Sequence, residues 1–209
     1  MPFNTILSFR LYNQYGSLDN SKPFQPFGVQ PDKGSYLIIG SNEWLNKGTI
    51  DIVLKIFWQA EPPKNFTDYY EGYSNALFTN HSFQLNFSIL HNGNWYLLNT
   101  EPVSLFAEDE NSGDVLPSSA FYLSVDKELL LSDSLLNNMI PLFNQNTKEG
   151  YIKAELVSPE YGFGASLYGN SLSLIVLENT KGNNLKLPNS PYTPLASRVE
   201  IGFINPTES

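Results

Sequence analysis

Phe83-Gln84-Leu85-Asn86-Phe87-Ser88-Ile89-Leu90-His91-Asn92-Gly93-Asn94-Trp95-Tyr96-Leu97 decides the fold. Phe83, Leu85, Phe87 and Ile89 recur at every second position, the spacing that sets side chains on one face of an extended strand. His91-Asn92-Gly93-Asn94 ends that run, and Asn-Gly supplies the two positive φ angles that a type I′ turn demands. Trp95 and Leu97 resume the alternation, so the stretch predicts an antiparallel hairpin. On this reading Trp95 extends an apolar strand face and belongs to the core.

The same period recurs on both sides of the hairpin. Ile50, Ile52, Leu54, Ile56 and Trp58 alternate with Asp51, Val53, Lys55 and Phe57. The second set is polar only in part, so the strand predicted over 50–58 is covered on both faces. Leu7, Phe9 and Leu11 against Ser8 and Arg10 predict a strand over 5–11 with one buried face. Residues 36–39, 121–125, 152–157 and 199–203 carry further strand patterns. Helical signals are fewer. Asn65 or Thr67 can cap a short helix through Tyr69, Tyr70 and Tyr73, and Asp133 can cap another through Leu135, Leu136 and Ile140 that stops at Pro141. Over 165–178, Leu167, Tyr168, Leu172, Ile175 and Val176 fall at helical spacing. The fold class predicted is mainly β, an antiparallel β-sandwich-like module with one or two short helices.

Ala107-Glu108-Asp109-Glu110-Asn111-Ser112-Gly113-Asp114 reads as an exposed acidic loop, and Lys181-Gly182-Asn183-Asn184 as another. Pro188, Pro191 and Pro194 follow the second. The expected organisation is therefore a mainly β domain over 1–180, then a proline-containing linker and final strand over 181–209.

The composition narrows function by exclusion. With 14% aromatic and 16% charged residues among 209, there is ample apolar material for a core. The count of cysteines is zero, which excludes disulfides, thiolate metal sites and a cysteine nucleophile. A formal net charge of -9 without a basic stripe repels a phosphate backbone, so no nucleic-acid partner is expected. Met1-Pro2-Phe3-Asn4 lacks the charged and apolar regions of an export signal, and no apolar run is long enough to span a bilayer; neither signal peptide nor membrane insertion is expected.

Few residues offer chemistry. His81 and His91 have no Ser or Asp partner motif around them. Glu108, Asp109, Glu110 and Asp114 miss the spacing of an EF-hand loop. Gly162-Phe163-Gly164 has Leu167 where a dinucleotide-binding turn needs its third glycine. Sequons begin at Asn65, Asn80 and Asn86, and without a secretory signal they carry no weight. No catalytic, cofactor-binding or metal-ligating residue is predicted. The aromatics Trp44, Trp58, Trp95, Tyr69, Tyr70 and Tyr73 leave two openings: stacking against sugars, as in a carbohydrate-binding or receptor-binding β-sandwich, or burial and protein contact. A glycosidase would need two carboxylates facing across a cleft, a geometry that sequence does not display.

Lys22-Pro23-Phe24-Gln25-Pro26-Phe27-Gly28-Val29-Gln30-Pro31, followed by Gly34-Ser35-Tyr36-Leu37-Ile38-Ile39-Gly40-Ser41, resembles a stretch of the baseplate J-like proteins of contractile injection systems. The order that follows is similar too: Glu43, Lys47, a strand ending in Trp58, Pro62-Pro63, Phe66, Tyr69-Tyr70, Tyr73, Asn94-Trp95 and Leu105-Phe106. Leu156-Val157-Ser158-Pro159-Glu160-Tyr161-Gly162-Phe163-Gly164-Ala165-Ser166-Leu167-Tyr168 and Leu187-Pro188-Asn189-Ser190-Pro191-Tyr192-Thr193-Pro194 look like two further patches. Many relatives carry His where this chain has Ala165, and family members are longer, so the chain would correspond to a domain or a split subunit.

The resemblance implies a structural wedge component of a phage-tail-like particle or a related type VI secretion-like apparatus. Such a component would be non-catalytic and would contact other baseplate proteins: wedge, hub or sheath-proximal subunits. It would be assembled in the bacterial cytoplasm before joining the particle. The prolines of 22–31 and 188–194 restrict the backbone in advance. With Phe24, Phe27, Tyr69, Tyr70 and Tyr192 as apolar anchors, these segments are expected to be the interface.

Overall fold

The computed structural model describes residues 4–43, 51–59, 61–74, 76–130 and 142–204. Two antiparallel sheets face each other across a common core. The four-stranded sheet runs β1 (Asn4–Thr5), β11 (Ala196–Phe203), β5 (Asp51–Trp58) and β9 (Ser118–Ser124). The larger sheet runs β3 (Gly16–Leu18), β2 (Arg10–Asn13), β4 (Tyr36–Gly40), β10 (Tyr151–Ser158), β6 (Gln84–His91) and β7 (Asn94–Leu97), with β8 (Val103–Ser104) also paired to β6. Helices α1 (Phe66–Tyr69) and α2 (Lys127–Leu130) are single turns, whereas α3 (Ala165–Thr180) is 16 residues long. The protein is thus mainly β, as its alternating apolar runs predict, and α3 lies where the helical spacing over 165–178 places it.

The hairpin forms as the sequence dictates. His91 pairs with Asn94, and Asn92 and Gly93 take φ angles of 50° and 79° to close the turn. Phe87 and Ile89 point into the core. A two-residue turn pairs Leu90 with Trp95, so Trp95 shares the face of Leu90, which is opposite to that of Ile89. Trp95 is therefore not a core residue, contrary to expectation. It lies half-buried on the outer face of the large sheet, packed against the buried group Tyr12, Ile38, Leu90 and Tyr151, with Lys153 above its ring at 5.2 Å. Trp58 is buried as expected, 5.2 Å from the Phe106 ring. Trp95→Ala should consequently cost only about 1–2 kcal/mol, below the full penalty for emptying a core aromatic site. Urea unfolding checks this, and a loss near that of a buried aromatic would contradict the placement.

β5 is covered on both faces, with Ile52, Val53, Leu54, Ile56 and Trp58 all buried; Ile50 lies outside the described residues. The strand expected over 5–11 is in fact two. β1 pairs with β11 in the small sheet, and β2 pairs with β3 and β4 in the large one. Between them Ile6 is inserted into the core and its amide bonds Ile201 O at 2.8 Å, while Leu7 is 88% exposed. A chain that crosses from one sheet to the other cannot keep one alternation phase, which is why Leu7 is outside. The helix expected from Asp133 to Pro141 lies outside the described residues, as does Trp44.

The segment 181–195 leads into the strand β11 (Ala196–Phe203). β11 is an interior strand, paired with β5 on one side and β1 on the other. The segment before it is fastened to the body, for Tyr73 Oη donates to Asn189 O (2.9 Å) and Asn189 Nδ2 donates to Tyr69 O (2.8 Å).

Candidate interface

The site begins with Asn65, whose extended backbone and side-chain carbonyl cap α1 by accepting from Thr67 N (2.8 Å) and Asp68 N (3.2 Å). That cap sets Phe66 into the core, where its ring meets Phe83 and Phe106, each at 4.8 Å, and Tyr192 at 5.5 Å. Asn80 holds the same turn from below: its Oδ1 accepts from Phe66 N (2.8 Å) and its Nδ2 donates to Gly113 O (3.0 Å).

Tyr70 then joins three distant segments. Its ring stacks on Phe78 at 3.9 Å, its hydroxyl donates to Phe163 O (2.8 Å) and accepts from Tyr192 N (3.1 Å). Burial pushes the phenols of Tyr70, Tyr73 and Tyr192 well above the ordinary tyrosine range, so they remain neutral donors. Phe163 stacks on Phe83 at 4.1 Å, and its amide donates to Pro31 O at 3.1 Å. Residues 22–31, 66–73, 158–168 and 187–194, apart in sequence, are thereby gathered around one aromatic plug.

That plug supports α3. Ser171 is fully buried on the inner side, donating to Leu167 O (2.9 Å) while its Oγ accepts from Ser74 N (2.9 Å). Ile175 packs beside Gly72. The outer positions Ser166, Gly169, Asn170, Ser173, Leu174, Val176, Leu177 and Thr180 are exposed, and none is charged. Leu174, Val176 and Leu177 are 44%, 47% and 52% exposed, followed by Leu185 and Leu187. Asn179 fastens that continuation to the helix, donating to Leu185 O (2.9 Å) and accepting from Leu185 N (2.7 Å). Leu174, Val176, Leu177, Leu185 and Leu187 form an apolar patch flanked by the ion pairs Glu178–Lys181 and Lys186–Glu71, and such a patch marks a contact surface.

The residues expected to be anchors are elsewhere. Phe24, Phe27 and Tyr70 are 7%, 0% and 4% exposed, inside the chain's own core. Phe24 exchanges two backbone bonds of 2.9 Å with Ala196, which turns its side chain inward. Tyr69 and Tyr192 are half-buried against the plug, and Tyr69 Oη donates to Ser190 O at 2.9 Å. Phe24, Phe27 and Tyr70 thus act inside the chain, while Tyr69 and Tyr192 keep part of their surface exposed. The α3 ridge was missed, although its signal is in the sequence: Ser166, Asn170, Ser173, Leu174 and Leu177 fall on one helical stripe without a charge.

The other groups singled out are spread over the surface. His81 Nε2 faces Glu108 Oε2 at 3.3 Å, and His91 Nδ1 lies 3.1 Å from Leu129 O. The acidic loop folds on itself, with Asp109 Oδ1 accepting from Asn111 N (3.0 Å) and Ser112 N (2.9 Å). Bonds from Ser112 and Asn111 hold the Asp109 carboxyl below its usual range. At Gly162-Phe163-Gly164 all three amides are taken by Pro159, Pro31 and Tyr161 carbonyls, so none points at a ligand. Among the described residues no group of three His, Cys, Asp or Glu is placed to hold a metal ion, and no helix is long and apolar enough to cross a membrane. No protein-family model and no curated protein matches the chain.

Proposed function

We propose that the chain is a non-catalytic structural module that works through protein–protein contacts, with the outer face of α3 and the Leu185–Leu187 continuation as its docking surface. The exposed apolar patch Leu174, Val176, Leu177, Leu185 and Leu187, mounted on the aromatic plug, carries this reading. Five exposed leucine and valine side chains, with their flanking charges Glu178 and Lys186 already paired to Lys181 and Glu71, make a surface suited to desolvation by a partner. The resemblance to baseplate J-like proteins supplies the partner class: neighbouring baseplate subunits of a contractile injection system, met in the bacterial cytoplasm during assembly. A sugar platform is less well supported, since Trp58 is buried and Trp95 is covered by Lys153.

A Leu174→Asp, Leu177→Asp double variant tests the reading. The two carboxylates fall on exposed positions, so thermal unfolding should match the parent. Incorporation into particles, or co-purification with adjacent baseplate subunits, should fall by about tenfold or more. Incorporation at the parental level would refute the docking surface.

A further inference from the structure

β9 is the outer strand of the four-stranded sheet, and among the described residues no strand pairs with its free side. Which of its groups are unused follows from the ladder. Trp58 N bonds Pro117 O at 2.9 Å, and pairing continues Ile56↔Ser119, Leu54↔Phe121, Ile52↔Leu123. Antiparallel pairs alternate between bonded and non-bonded, so Ser119, Phe121 and Leu123 turn their amides and carbonyls to β5. Ser118, Ala120, Tyr122 and Ser124 turn theirs outward. Ile204 N bonding Asp51 O at 3.1 Å on the opposite side of β5 agrees with this phase.

Natural edges are blunted by lysine, proline, bulges or short length. Ser118-Ser119-Ala120-Phe121-Tyr122-Leu123-Ser124 is seven residues long and has no charge and no proline. Beside it opens a groove of about 300 Å³ between Phe121, Tyr122 and Leu123 on one sheet and Leu98, Val103 and Ser104 on the other. Among the described residues the groove leaves the edge open, and Tyr122 is 71% exposed at its centre.

We propose that β9 pairs with β9 of a second copy of this chain, antiparallel and about a two-fold axis at Phe121. In that register the outward groups meet one another, Ala120 opposite Tyr122 and Ser118 opposite Ser124 of the second copy. Every unused amide finds a carbonyl. The exposed tyrosine ring lies over the small Ala120 side chain, and hydroxyl faces hydroxyl at the ends. The edge is its own complement, which a two-fold contact requires. The ladder brings no charged side chains opposite one another, so the contact itself adds nothing to the repulsion between two bodies of net charge -9. The pairing joins the two small sheets into one continuous sheet. It involves none of the α3 ridge and does not depend on the assembly reading.

The test is sedimentation equilibrium of the purified chain, combined with amide hydrogen exchange. The parent should form a reversible dimer by about 0.1 mM, a concentration at which even a weak pair is populated. Ala120 and Tyr122 amides should gain protection with concentration, while those of Phe121 and Leu123 stay protected throughout. Ala120→Pro deletes an outward amide without touching the β5 ladder, and should raise the dissociation constant by about tenfold or more with unfolding temperature unchanged. Should that variant fold poorly, Tyr122→Lys places charges at the dyad and should have the same effect. A parent that stays monomeric, a dimer that ignores both substitutions, or a dimer lost instead in Leu174→Asp, Leu177→Asp would overturn the proposal. So would a monomer that captures an added β-forming peptide through Ala120, since the edge would then serve a foreign strand.

Discussion

Phe66→Ala should lower the unfolding free energy by about 3–5 kcal/mol, the cost of emptying a fully enclosed aromatic site. Phe66 is 0% exposed and touches Tyr70 of its own turn and rings from three separated segments: Phe83, Phe106 and Tyr192. Rigid rings cannot collapse into the space, so the lost transfer energy is accompanied by a cavity penalty. The loss should also be non-additive. Tyr192→Ala removes one wall of the same site, so the double variant should lose less than the two single losses combined. Guanidinium unfolding of the three variants gives the cycle. Strict additivity would mean that Phe66 and Tyr192 are not one packing unit.

Gly162→Ala should destabilise by about 3 kcal/mol or more, from a steric cause of a different kind. A Cβ there would stand 2.2 Å from Pro31 O and 2.5 Å from Asp32 Cα, both backbone atoms. Relief requires the 22–34 arm to lift, breaking the 3.1 Å bond from Phe163 N to Pro31 O. The positive φ of 50° is the lesser term, because asparagine tolerates it. Gly162→Asn should therefore be nearly as damaging as Gly162→Ala. Gly113→Asn provides the contrast, having a φ of 72° and nothing within 4 Å, and should stay within about 1 kcal/mol of the parent. If Gly162→Asn behaved like Gly113→Asn, the clash would not be the reason for this glycine.

The β elements were legible because their cause is local. Alternation over 50–58 and 83–89 and Asn92-Gly93 between β6 and β7 act within a few residues, and β5, β6 and β7 appear within two residues of their patterns, whereas β9 and β11 begin three residues before theirs and β3 and β8 were not foreseen. What failed depends on distant partners. Leu7 looks inward until the chain is known to change sheets after Ile6. Trp95 looks like core until a two-residue turn is seen to exchange the faces of β6 and β7. Phe24, Phe27, Tyr70 and Tyr192 carry the composition of an interface, and the interior of this chain uses the same residue types for the same physical reason. Only pairing of Phe24 with Ala196, and of Tyr70 with Phe163 and Tyr192, decides between the two uses. The uncharged stripe on α3 could have been read, but it is weak against the many stronger apolar runs.

The position of β11 bears on the order of events during synthesis. The large sheet draws its strands from residues 10–158, so it can assemble while the rest of the chain is still inside the ribosome. The small sheet cannot. Among the described residues β1 pairs with β11 alone, and β5 meets β9 on one side while its other side waits for Ala196–Phe203. A nascent chain thus holds Ile52, Leu54 and Ile56 under an unfinished layer until nearly its last described residues emerge. Pairing β11 with β1 and β5 then becomes the step that completes the small sheet, and contacts so far apart along a chain form slowly. The interval before that pairing is when this protein has most need of a chaperone.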